Sequence, residues 1–122
     1  MSLRIQHESS AQWHHFGILK PKLCKIFFEI VEMCDEMDRE VIITSLVRPK
    51  TIDTGIHSLA RAIDFILDVN DDLIVNYLTT IINKKYIYDS DRPTIETLIW
   101  HSSVGAGAFA NKHFHLQCAA YI

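Results

Sequence analysis

Paired cysteines, a surplus of basic charge and a long apolar run are all missing from this chain of 122 residues. Its three cysteines, Cys24, Cys34 and Cys118, are an odd set without a CxxC spacing. A disulfide frame is therefore not the organising device, and small buried hydrophobes of a reducing compartment are expected. Against 15 acidic residues stand 12 basic ones, a formal net charge of -3. No basic surplus drives counterion release, which disfavours a nucleic-acid partner. The opening MSLRIQHESSAQWHH has no apolar core of signal-peptide length. No later stretch has the roughly 20 apolar residues that cross a bilayer. The expectation is a soluble chain, cytoplasmic as synthesised. Internal repeats and low-complexity tracts are absent as well.

What is present is enough apolar content, 48% of residues, to bury one core. The expected organisation is a single domain over 1–122, with 1–17 as an irregular N-terminal segment. Pro21 suits the first turn of a helix, and Leu23, Phe27, Ile30, Cys34 and Met37 follow at steps of four and three. That spacing predicts an amphipathic helix over 22–37, its stripe widened by Ile26 and Met33. Residues 41–47 form a β-branched run that reads as a buried strand ended by Arg48-Pro49. Residues 49–59 read as a loop and 60–67 as a second strand.

Asn70 is the expected cap of a second helix opening on Asp71-Asp72, with Ile74, Tyr77, Leu78, Ile81 and Ile82 as its apolar face. Lys84-Lys85 closes it. Two more strands are expected at 97–101 and 113–118, joined by the Gly- and Ala-rich stretch 102–112. The order predicts an α+β domain, with helices packed on one face of a small, mostly antiparallel sheet.

Seven histidines are the unusual count. Two segments concentrate the chemistry: His57 to Asp64, and His113-Phe114-His115. Asp64 lies between Ile63 and Phe65 in an apolar strand, where an unpaired carboxylate is costly. A metal ion is one suitable partner; Arg61 or Arg48 is the plainer alternative. Strand alternation places His113, His115 and Gln117 on one face, with Phe114, Leu116 and Cys118 on the core-facing one. Imidazole nitrogen and carboxylate oxygen are ligands that zinc favours, and a catalytic site keeps a fourth position for water.

The stretch from His57 to Asp64 resembles the SxHxxGxAxD motif of the zinc D-Ala-D-Ala carboxypeptidase and endopeptidase family, which shares its fold with the hedgehog signalling domain. The His-to-Asp spacing and Ala62 match it. Thr44-Ser45-Leu46-Val47-Arg48-Pro49 is similar to the family's TSGYRS segment, and His113-Phe114-His115-Leu116 to the strand carrying its last ligand. The resemblance spans residues 41–118.

It implies a hedgehog/DD-peptidase-like fold with one Zn2+ held by His57, Asp64 and His115. Arg48 would anchor a substrate carboxylate. The implied activity is hydrolysis of short peptides, with peptidoglycan stem peptides as the substrate class. The compact, leaderless form resembles phage-type enzymes that reach the wall after release.

The sequence departs from the pattern at Gly55, where serine is usual, and at Ala60, where glycine is. The family's acidic residue shortly before the last ligand is missing too, since 109–112 read Phe-Ala-Asn-Lys. His101 as base and His113 as oxyanion stabiliser are the expected substitutes, and Glu96 is a third candidate. The alternative is a zinc-binding module of the same fold without catalysis.

Overall fold

In the computed structural model, residues 2–6, 13–46, 61–102 and 112–119 are described. Helix α1 spans Pro21–Glu36, with proline in its first turn, and buries Leu23, Ile26, Phe27, Ile30, Val31 and Cys34. Its end is a left-handed turn. Asp38 sits at φ 58, the Arg39 N–H donates to the Cys34 carbonyl at 2.8 Å, and the Asp38 N–H donates to Asp35 at 3.1 Å. That is a Schellman ending, with a short polar residue tolerated where glycine is usual.

Helix α2 spans Asp72–Lys85. Its cap is Asp71, whose carboxylate accepts the Ile74 N–H at 2.9 Å. The expected cap, Asn70, is used elsewhere: its amide accepts the Leu67 N–H and donates to the Leu67 carbonyl, both at 2.8 Å, closing the strand end. The buried face of α2 is also rotated from expectation. Ile74, Val75, Leu78 and Ile82 are buried, whereas Tyr77 and Ile81 are exposed, at 49% and 39%.

The strands are β1 (Leu3–Ile5), β2 (Val41–Ser45), β3 (Ala62–Leu67), β4 (Leu98–His101) and β5 (His113–Gln117). Among the described residues they form one five-stranded sheet in the order β1-β2-β3-β5-β4. Three pairings are antiparallel, but β1 runs parallel to β2, so the sheet is mixed. β1 and a 3-10 turn at Trp13–Gly17 lie where an irregular segment is expected from the sequence. The α+β class agrees with the sequence reading.

Alternation divides the sheet into two faces. Val41, Ile43, Ile63, Phe65, Leu67, Leu98, Phe114 and Leu116 join the buried residues of both helices in one core. Phe65 lies opposite Phe114, which lies opposite Trp100. Phe65 and Phe114 stack with ring centroids 4.9 Å apart, and Trp100 meets Phe114 edge-on at 4.7 Å. Phe27 of α1 closes on Phe65 at 5.7 Å. Aromatic contacts of this kind add to area burial and fix which residues face each other across strands. Cys34 and Cys118 are buried as expected and Cys24 is half-buried; burial pushes the Cys34 thiol up to about 12, aided by the nearby Asp68 carboxylate.

Because Phe65 is fully buried at the centre of this ladder, Phe65→Ala is expected to cost about 3–5 kcal/mol. Urea unfolding monitored by far-ultraviolet circular dichroism measures it, and a loss under about 1 kcal/mol contradicts the packing described.

Candidate functional site

The opposite face of β3, β5 and β4 carries the polar residues. Asp64 is directly opposite His115 in the register of β3 with β5, and His101 is directly opposite His113 in that of β4 with β5. Ser45 pairs with Asp64 from the other side, through an irregularity in β2 between Ile43 and Ser45. Four side chains from three strands therefore converge because their strands are adjacent and their alternation is in phase.

Asp64 is 4% exposed. Its Oδ1 lies 2.8 Å from His115 Nδ1, and its Oδ2 lies 3.7 Å from His113 Nε2. A buried carboxylate needs compensation, and the His115 imidazole at hydrogen-bond distance supplies part of it. Arg61, one of the two plainer partners considered from sequence, makes no ion pair with Asp64 among the described residues, and Arg48, the other, lies outside them. The His101 ring is 5.1 Å from that of His113 and 5.6 Å from that of His115. Partial burial pushes its pKa below the usual histidine value. The neighbouring His113 and His115 lower it further, and Asp64 opposes them.

Glu96 is committed elsewhere. Its Oε2 accepts from Asn83 Nδ2 at 2.8 Å, and the same Asn83 amide grips β4 by accepting the Leu98 N–H and donating to the Leu98 carbonyl, each at 2.8 Å. Helix α2 thus holds the start of β4, and the Glu96 carboxylate faces the helix. Nothing in the sequence pattern singles out Asn83, because its role depends on a contact 15 residues away.

Two of the three expected ligands, Asp64 and His115, are side by side. His57 and Arg48 lie outside the described residues. Among the described residues, no group of three or more His, Cys, Asp or Glu side chains is arranged to hold a metal ion. The Asp64–His115 pair itself fits the donor chemistry. With zinc bonds of about 2.0–2.1 Å to nitrogen and oxygen, tetrahedral ligand atoms stand roughly 3.3 Å apart, so the pair has to open by only about half an ångström. No family model, curated protein or solved structure matches the chain.

The order of effects on His101 yields a titration test. Its imidazole is expected to titrate below the usual histidine midpoint, to move up in His113→Gln and to move further down in Asp64→Asn. The folded state then binds fewer protons than the unfolded one just below the unfolded midpoint. His101 consequently makes the fold lose stability as pH falls through that range, and has no such effect above it. Histidine ring-proton NMR titrations of the three proteins measure the shifts; a His101 midpoint unmoved by either substitution contradicts the geometry.

Proposed function

We propose that the chain is a zinc-dependent peptidase of hedgehog/DD-peptidase type, acting on short peptides, with cell-wall stem peptides as the substrate class. The observation that carries the reading is the buried Asp64 carboxylate facing His115 across adjacent strands, with two further imidazoles on the same face. A nitrogen–oxygen donor pair beside a histidine cluster is the chemistry that zinc sites use. The motif resemblance adds His57 as third ligand and Arg48 as the group that would clamp a substrate carboxylate through its planar fork.

When bound, the metal supplies Lewis-acid polarisation of a carbonyl and a bound water of lowered pKa. The chain's own residues supply the rest. Partial burial, with His113 and His115 beside it, lowers the His101 pKa, which favours the form whose ring has a lone pair able to take a proton. His113 lies on the same strand face as His115 and would donate to a developing oxyanion. His115 and Asp64 hold each other's orientation.

One observation favours a second reading, a zinc-binding module without hydrolysis. The sequence has no carboxylate at 109–112, and Glu96 is engaged by Asn83. Stem-peptide cleavage separates the two readings: the module binds zinc and cuts nothing.

Zinc stoichiometry on untagged protein tests the metal claim. About one equivalent is expected in the wild type and much less in His57→Ala, Asp64→Asn and His115→Ala. Affinity should fall as pH drops, because imidazole must shed its proton to ligate. Equal zinc in all four proteins rules out the assigned ligands.

A further inference from the structure

We infer that Gln117 is a positioning residue that holds the His115 ring with Nδ1, and not its Cδ2 edge, toward Asp64. Gln117 follows His115 by two positions on β5 and shares its face. Its Nε2 donates to the Glu96 main-chain carbonyl at 2.8 Å. A carbonyl oxygen can only accept, so this bond fixes the amide with its NH2 end toward Glu96 and its oxygen toward the site. That oxygen, Oε1, lies 3.2 Å from His115 Nε2. An amide oxygen can only accept as well, so Nε2 carries a hydrogen. Nδ1 stands 2.8 Å from Asp64 Oδ1. Without a metal, a proton shared between those two atoms completes that bond, the proton that zinc would displace.

The series continues into the frame of the fold. Glu96 is bonded through its side chain to Asn83 of α2, and the Gln117 main-chain N–H donates to the Thr97 carbonyl at 3.0 Å. The Gln117 amide is therefore anchored at its far end by a segment that a helix holds in place. Without it, the His115 ring could turn about its χ2 bond and present Cδ2 in place of Nδ1 to Asp64. Ring orientation by a hydrogen bond to the distal nitrogen is how groups behind a ligand tune a metal site.

The geometry stands without a metal; its consequence for affinity rests on the zinc reading above. Two measurements keep them apart. Chelator competition with zinc is run on wild type, Gln117→Leu and Gln117→Glu, and long-range proton–nitrogen NMR of the His115 ring is recorded on the metal-free proteins.

Gln117→Leu is expected to weaken zinc binding about 10-fold or more, and Gln117→Glu, which keeps an acceptor oxygen but loses the bond to the Glu96 carbonyl, to fall between that variant and the wild type. In the metal-free wild type, the His115 Nε2–H should give a hydrogen-bonded, slowly exchanging signal that Gln117→Leu abolishes. Unchanged zinc affinity in Gln117→Leu, with His115→Ala unable to bind, overturns the positioning role while the metal site stands. A wild type that binds no zinc yet shows the Nε2–H signal, lost in Gln117→Leu, supports the positioning of His115 and removes the peptidase reading. Absence of that signal from the wild type overturns the inference outright.

Discussion

A carboxylate in the middle of a core strand is the constraint around which this fold is arranged. Asp64 is flanked in β3 by Ile63 and Phe65, both fully buried. An ionised group there is costly unless it is paired and hydrogen-bonded. The compensation comes from β5, where His115 stands opposite at hydrogen-bond distance. Truncating one partner strands the other, and such a pair persists in a strand only where the arrangement is either structurally enforced or functionally useful. Here the enforcement is visible in the packing beneath it.

The aromatic ladder and the polar cluster are two sides of one register. Phe65, Phe114 and Trp100 face the helices, and each has a site residue as its immediate chain neighbour: Asp64, His113 with His115, and His101. A slip of one residue in β5 would drive two imidazoles into the core and put Phe114 against Asp64. The apolar energy that stabilises the sheet thus also holds the polar groups in phase. Precision at the site comes from rigid strands rather than from loops, which is how a preorganised constellation is best supported.

The parts of this design that depend on local period are legible in the sequence. The alternation in 113–118 assigns the two faces of β5 correctly, and the helix stripe from Leu23 to Cys34 identifies the packed side of α1. What depends on distant geometry is not. β1 has three residues, too few to show a period, and its parallel pairing with β2 joins positions 38 residues apart in register (Leu3 with Val41). The cap of α2 falls on Asp71 because Asn70 finds both its partners on Leu67, a choice between two adjacent good capping residues. The face of α2 includes Val75 rather than Tyr77, since helical spacing fits either side of Ile74 and only the sheet decides. For Asp64 the sequence demands a partner without naming it. Arginine and metal both satisfy the physics, and the register of β3 on β5 adds His115, a partner 51 residues away that no local period points to.

The same register also constrains the chemistry that the site can perform in the proposed reading. A hydrolytic base needs a lone pair at the working pH and reach toward the reacting water. Glu96 lacks the second, because its carboxylate is held by α2. His115 is committed elsewhere, since its two nitrogens face the Gln117 and Asp64 oxygens. His113 has Asp64 Oδ2 at 3.7 Å and is the group best placed to be stabilised as a donor. His101 remains, at the end of an edge strand, its pKa lowered by burial and by two neighbouring imidazoles. Lowering keeps the base form populated to lower pH, at the cost of basicity. A carboxylate in the usual place would work through proximity to the metal; a histidine here would work through the lowered pKa that its partial burial gives it. The division of labour among three imidazoles then follows from which oxygen, if any, each one faces.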